Sequence, residues 1–214
     1  MTDKLRVMTI LGTRPEIIRL ARVMHRLDEY CDHSIVHTGQ NYDYELNEIF
    51  FEDLGIRKPD YFLGTGGGSL GNTLGAILSE TEKVLLERKP EAVVVLGDTN
   101  SAISAIIARR LKIPVYHMEA GNRSFDRNVP EETNRKLVDH IADFNLVYTE
   151  HARRHLLSEG LPHRRIYLTG SPMREVLEHY RAGIQSSTVL SDLNLERRKY
   201  FIVSLHREEN VDNS

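Results

Sequence analysis

The sequence predicts an α/β fold in which a parallel sheet is sandwiched between helices. Three observations lead there. Strand-like and helix-like stretches alternate from residue 5 to residue 180. The strand-like stretches, such as Val93-Val94-Val95-Leu96, are apolar throughout, the pattern of strands covered on both faces. Several of them run into a polar or charged turn, which would line one edge of such a sheet with chemistry.

Residues 5–11 read as the first strand, and residues 17–30 as a helix with Ile17, Leu20, Ala21, Met24 and Leu27 at helical spacing. A second strand is expected over 33–38. A helix follows over 42–54, with Leu46, Ile49, Phe50 and Leu54 on one side. Residues 61–63 make a short strand, and the glycine-rich run 64–69 a flexible loop. A long helix over 70–89 leads to the strand 92–96, and an Ala- and Ile-rich helix over 99–111 leads to the strand 113–118. Pro130 can open a helix over 130–142, because the first helical position has no bonded N–H to lose. A strand over 145–148, a helix over 150–159, a strand over 166–168 and a helix over 173–180 complete a first domain, residues 1–180. Residues 181–194 are polar and read as a linker, and residues 200–204 as a new strand. No covering helix follows it, so residues 181–214 read as the linker and start of a truncated second domain.

Hydrophobic residues make up 40% and charged residues 28%, an ordinary soluble balance. A net charge of −3 offers no electrostatic case for general nucleic-acid or membrane binding. One cysteine, Cys31, allows no internal disulfide framework and suits a reducing compartment. No apolar run has the length of a membrane span, and the first residues lack the shape of a signal peptide. The expected setting is the cytoplasm.

The turn Gly12-Thr13-Arg14-Pro15-Glu16 has the form of a capping box with proline in the first helical turn. One reading is a well-started helix. The other is a phosphate site, because Arg14 stands where free backbone N–H groups and the positive helix end face solvent. Neither dinucleotide nor P-loop glycine fingerprint is present at this turn. Asp98 ends the strand 92–96, where it caps the next helix or faces a ligand. Glu119 lies between an apolar strand and a glycine turn. Burial there would raise its pKa for acid/base work, the alternative being an ion pair with Arg123 or Arg127. Glu131 and Glu132 open the helix at Pro130, and the helix dipole alone accounts for one of them. Asn134 and Arg135 follow on the same helix, with a plain surface face as the alternative. His206 follows the last strand and is suited to acid/base or phosphate contact, or else is simply solvated.

These segments occur together and in order: Gly-Thr-Arg-Pro-Glu, Gly-Asp-Thr, His-Met-Glu-Ala-Gly-Asn-Arg, Pro-Glu-Glu-Thr-Asn-Arg and His-Arg-Glu-Glu-Asn. The ordered set resembles the non-hydrolysing UDP-N-acetylglucosamine 2-epimerase family across nearly the whole chain. The resemblance implies the first half of a glycosyltransferase-B-like fold, with substrate held between two Rossmann-like halves. It implies inversion of C2 of a UDP-linked 2-acetamido sugar by elimination and re-addition of UDP, with no cofactor and no metal. It makes Arg14 a contact to the UDP phosphates. Asp98, Glu119 and Glu131 become the catalytic carboxylates, and His206 is linked to UDP binding or departure. Arg19, at a position where many members have lysine, joins Asn134 and Arg135 as a substrate-binding candidate. The family resemblance also implies a homodimer.

The runs Glu119–Asp126 and His37–Asp43 look like the branch that completes UDP-N-acetyl-L-fucosamine for capsule and O-antigen. That substrate would be UDP-2-acetamido-2,6-dideoxy-L-talose, and the commoner conversion is UDP-N-acetylglucosamine to UDP-N-acetylmannosamine. A UDP-sugar-binding module without turnover and a glycosyltransferase of similar architecture are the other readings. The isolated chain, lacking one wall of the cleft, is expected to be inactive.

Overall fold

The computed structural model describes residues 4–39, 48–126 and 128–203. Seven strands form one parallel sheet in the order β3-β2-β1-β4-β5-β6-β7. They are β1 (Arg6–Leu11), β2 (Asp32–His37), β3 (Tyr61–Phe62), β4 (Ala92–Leu96), β5 (Val115–Ala120), β6 (Phe144–Val147) and β7 (Ile166–Leu168). The α-helices are α1 (Arg14–Tyr30), α2 (Glu48–Asp53), α3 (Leu70–Arg88), α4 (Ala105–Arg110), α5 (Pro130–Ile141), α6 (Glu150–Ser158), α7 (Met173–His179), α8 (Arg181–Ser186) and α9 (Val189–Asp192). The expected α/β class and parallel sheet are borne out. Among the described residues no helix is long and apolar enough to cross a membrane.

Burial explains why the strands lack alternation. Every residue of β4 is buried, and β1 is buried from Val7 to Leu11. Both strands sit mid-sheet with helices on either side, so neither face can be polar. Met8, Ile10, Val93 and Val95 form one core with Val84 and Leu85 of α3 and Ala105 and Ala108 of α4. A smaller cluster joins Ala120, Val147, Ala152, Leu156 and Ile166 under α6. The sheet order reverses between β1 and β4. Connections from β1 run toward β2 and those from β4 toward β5, which opens a crevice at the strands' carboxyl ends.

Three local expectations are corrected. The helix expected over 99–111 begins as a tight 3-10 segment, Asn100–Ser104, before α4. Ser101 and Ser104 are fully buried there, and Ser101 Oγ lies 2.9 Å from Thr38 Oγ1. The strand expected from residue 113 starts at Val115. Pro114 has no N–H to give the ladder, and Lys112 turns the chain with φ +64°. Residues 181–194, read as a linker, hold the short helices α8 and α9, neither with a buried residue.

Residues 200–203 are not a strand. Phe201 is 98% exposed, and no neighbouring strand takes their backbone groups among the described residues. The part of the expected 42–54 helix before Glu48, the segment Gln40–Asp43, Arg127, Ser204 and His206 lie outside the described residues. The chain divides into two compact units, Met1–Leu177 and Glu178–Ser214.

Candidate active site at the carboxyl edge of the sheet

The turn from β1 into α1 is built around Glu16. Its Oε2 accepts from Gly12 N at 3.0 Å, Thr13 N at 2.8 Å and Thr13 Oγ1 at 2.9 Å. Its Oε1 accepts from Thr99 Oγ1 at 3.1 Å, which ties this turn to the one after β4. Burial pushes the Glu16 carboxyl up to about 7, against the pull of these hydrogen bonds. Gly12 is required by space: a Cβ there would lie 2.0 Å from Thr38 Oγ1 and 2.2 Å from Ser101 Oγ. The chain's own carboxyl thus occupies the N–H groups of Gly12 and Thr13, just before the first helical residue, Arg14. What faces outward is Arg14, exposed, with its guanidinium 5.8 Å from the centre of the Phe50 ring.

After β4, Gly97 takes φ +69° and presents Asp98. Asp98 does not cap the next helix, since Thr99 holds that position. Its carboxylate pairs with Arg135 of α5, and Asn134 Nδ2 donates to the Asp98 backbone oxygen at 3.0 Å and to Asn100 Oδ1 at 3.0 Å. Asn134 and Arg135 therefore clamp the Asp98 turn. They are not a plain surface face.

Glu119 is the unusual residue of β5. Between Met118 and Ala120 the register with β6 slips, and Glu119 sits in that bulge with φ +63°. A side-chain-bearing residue in the left-handed region carries strain of about 1–3 kcal/mol and persists where the surroundings force it. Gly121 follows at φ +78°, with its Cα packed so close to Ala152 that a Cβ would lie 2.4 Å from that residue's carbonyl oxygen. Arg19 donates to Glu119 Oε2 at 2.7 Å, and Asn122 makes a long 3.4 Å contact to Oε1. Burial is the main cause raising the Glu119 pKa and Asp98 adds to it, while Arg19, Arg135 and His117 oppose it.

The neighbouring ion pairs correct the Arg123 half of the alternative for Glu119, Arg127 lying outside the described residues. Arg123 turns away from it, to Asp139 at 2.7 Å and Glu159 at 2.6 Å. Asp139 is fully buried, accepts from Gly121 N at 3.2 Å and approaches His117 Nδ1 at 2.9 Å. His117 Nε2 lies 2.7 Å from Gly97 O, which links this cluster to the Asp98 turn. Burial opposes charge on Asp139, yet His117 and Arg123 hold its carboxyl below the ordinary range.

The two glutamates at the start of α5 also separate. Glu132 is buried, accepts from Ser124 N at 3.0 Å and Ser124 Oγ at 3.1 Å, and pairs with Arg135 at 2.7 Å. Glu131 is exposed. The structure thus joins Arg19, Asp98, Glu119, Asn134 and Arg135, and leaves Arg14 and Glu131 on the surface. Sequence reasoning missed His117, Asp139 and Tyr148, and of the two glutamates opening α5 it gave the site role to Glu131 and none to Glu132. For Glu132 and Asp139 a signal existed: Glu132, Arg135 and Asp139 recur at i, i+3 and i+7, one face of a helix. Beside Met118, a concavity of about 200 Å³ is bounded by Leu146, Thr169, Gly170, Pro172 and Glu175.

Residues 25–214 match the profile of the UDP-N-acetylglucosamine 2-epimerase family. The chain is 44% identical over 209 residues to a UDP-N-acetylglucosamine 2-epimerase of Methanocaldococcus jannaschii, covering 95% of this chain and 57% of that protein. It is 40% identical over 214 residues to a UDP-2,3-diacetamido-2,3-dideoxy-D-glucuronate 2-epimerase of Pseudomonas aeruginosa, covering 97% and 59%. The crystal structure of the Methanocaldococcus jannaschii UDP-GlcNAc 2-epimerase in complex with UDP-GlcNAc and UDP superposes with a TM-score of 0.91 at 43% identity, covering 98% of this chain and 59% of that one. The chain therefore spans somewhat over half the length of these relatives.

Proposed function

The chain belongs to the UDP-N-acetylglucosamine 2-epimerase family, and from that premise we propose that the protein inverts C2 of a UDP-linked 2-acetamido sugar. The observation that carries this reading is Glu119: a half-buried carboxyl with raised pKa, held in a strained bulge beside a cation. A C2 proton is weakly acidic, so its base must be well placed and kept from water. In the proposed reaction a carboxylate removes the C2 proton and the bond from C1 to the UDP oxygen breaks. The electron pair forms a C1–C2 double bond. UDP then returns to C1 as C2 takes a proton on its opposite face. Glu119 is our choice for proton transfer, with Asp98 beside it. Arg14 and Arg19 stabilise the charge on departing UDP.

Glu131 and His206 remain proposed members of the same machinery. Their partners would come with the rest of the family's length, so we propose that residues after 180 lead into a second domain and that residues 1–214 alone do not turn over. The resemblance of residues 37–43 and 119–126 favours UDP-2-acetamido-2,6-dideoxy-L-talose as substrate and UDP-N-acetyl-L-fucosamine as product, in capsule or O-antigen precursor synthesis. A cytoplasmic homodimer completes the reading. The test is solvent exchange: the full-length protein, given UDP-N-acetyl-L-fucosamine or UDP-N-acetylglucosamine in deuterium oxide, should place deuterium at C2. Binding without exchange would favour a binding module, and sugar transfer to an acceptor would favour a glycosyltransferase.

A further inference from the structure

Tyr148 is a residue that the reading above does not use. It follows Val147, the last residue of β6, and precedes Thr149, the N-cap of α6. Val147 is registered on Ala120, so Tyr148 leaves the end of its strand just beyond the Glu119 bulge. Its hydroxyl is buried and makes no hydrogen bond among the described residues. A buried donor without a partner is costly and uncommon in native proteins, and calls for an explanation. The charged groups that act on this hydroxyl are Glu119 and Arg19. Burial, reinforced by the Glu119 charge, pushes the phenol above its ordinary range, so Tyr148 stays protonated and is a donor.

Glu119 has the complementary deficit. Its Oε2 is held by Arg19 at 2.7 Å, but among the described residues Oε1 has only the 3.4 Å contact to Asn122. An under-used acceptor and an unused donor thus stand at the ends of adjacent strands, near enough for the Glu119 charge to act on the phenol. Resting on the reading of Glu119 as the proton-transfer group, we propose that Tyr148 is a positioning residue that donates its O–H to the Glu119 carboxylate in the working state. The exchange is prompted when Arg19, which is 37% exposed, turns to an anionic group of the substrate. The tyrosine then keeps a half-buried carboxylate from being left without a donor. It also sets the face that the carboxylate presents to C2.

The groups facing Glu119 are Arg19 from α1, Asp98 after β4, His117 within β5, Arg135 from α5 and Tyr148 after β6. A donor to the ionised form favours that form, so removing it makes Glu119 harder to ionise. Tyr148→Phe in the full-length enzyme deletes the hydroxyl and keeps the ring. Its midpoint of thermal unfolding should be unchanged or raised, because no protein hydrogen bond is lost. Its kcat for C2 exchange should fall by about 10-fold with KM unchanged, the size expected for one charge-assisted hydrogen bond. The acidic limb of its pH–rate profile should move to higher pH. An unshifted limb with unchanged kcat overturns the proposal. So does a lowered melting midpoint with a parallel loss of activity and no limb shift, or a rise in KM alone. If the wild type shows no exchange at all, the functional reading falls by itself. The Tyr148–Glu119 pair is then read by carbon-13 NMR titration of the Glu119 carboxyl with UDP bound: an upward shift in Tyr148→Phe supports it, and identical titrations overturn it.

Discussion

Two shielded carboxylates, the half-buried Glu119 and the fully buried Asp139, lie on either side of the same glycine turn and are held in opposite ways. Asp139 takes the Gly121 N–H and the Arg123 guanidinium, lies against His117, and is kept below the ordinary carboxylate range. Glu119 has one firm partner, a strained backbone, a raised pKa and an unpaired hydroxyl nearby. The difference separates a carboxylate that organises the fold from one that is available for chemistry. Both are shielded acids beside arginine, so composition alone does not tell them apart. Saturation of their acceptors does.

The comparison is broken most readily at Asp139. Asp139→Ala leaves Arg123 and His117 without their buried partner and should cost about 3–5 kcal/mol of stability, read as a large drop in the denaturation midpoint. A loss below about 1 kcal/mol would mean that the Asp139 cluster does not hold the Gly97 and Gly121 turns together.

A smaller effect is expected at Glu16, another buried acid of this edge. Its folded pKa of about 7 lies above the ordinary 4.5, so the stability it contributes is fully present below about 4.5 and is lost as pH rises through 7. Glu16→Gln is neutral at every pH. The stability of the wild type relative to this variant should therefore fall by on the order of 3 kcal/mol between pH 4.5 and pH 8. A flat difference across that range would show that the hydrogen bonds from Gly12, Thr13 and Thr99 outweigh burial.

Much of this was legible in the sequence. β4 falls where the apolar run 92–96 stands, because parallel strands buried on both faces write themselves as continuous apolar runs; β7 falls at 166–168 although it is an edge strand with Tyr167 and Leu168 exposed. The Thr13–Glu16 pattern announced the start of α1. Legibility ended where side chains from distant segments meet. No local pattern says that Glu119 pairs with Arg19, 100 residues away, and not with Arg123 four residues on. The bulge at Glu119 and the orphaned hydroxyl of Tyr148 depend on how β6 registers against β5, which sequence periodicity does not encode. The unpaired backbone at residues 200–203 shows the converse. An apolar run has strand propensity, but a strand exists only with a neighbour to bond.

The central claim, that Glu119 and not Asp139 performs the proton transfer, is tested most directly by measuring C2 deuterium incorporation and thermal unfolding together for Glu119→Gln in the full-length protein. The account predicts that exchange falls by about 10²–10⁴-fold while the unfolding midpoint is kept or raised. Exchange at the wild-type rate in a folded Glu119→Gln variant would contradict it.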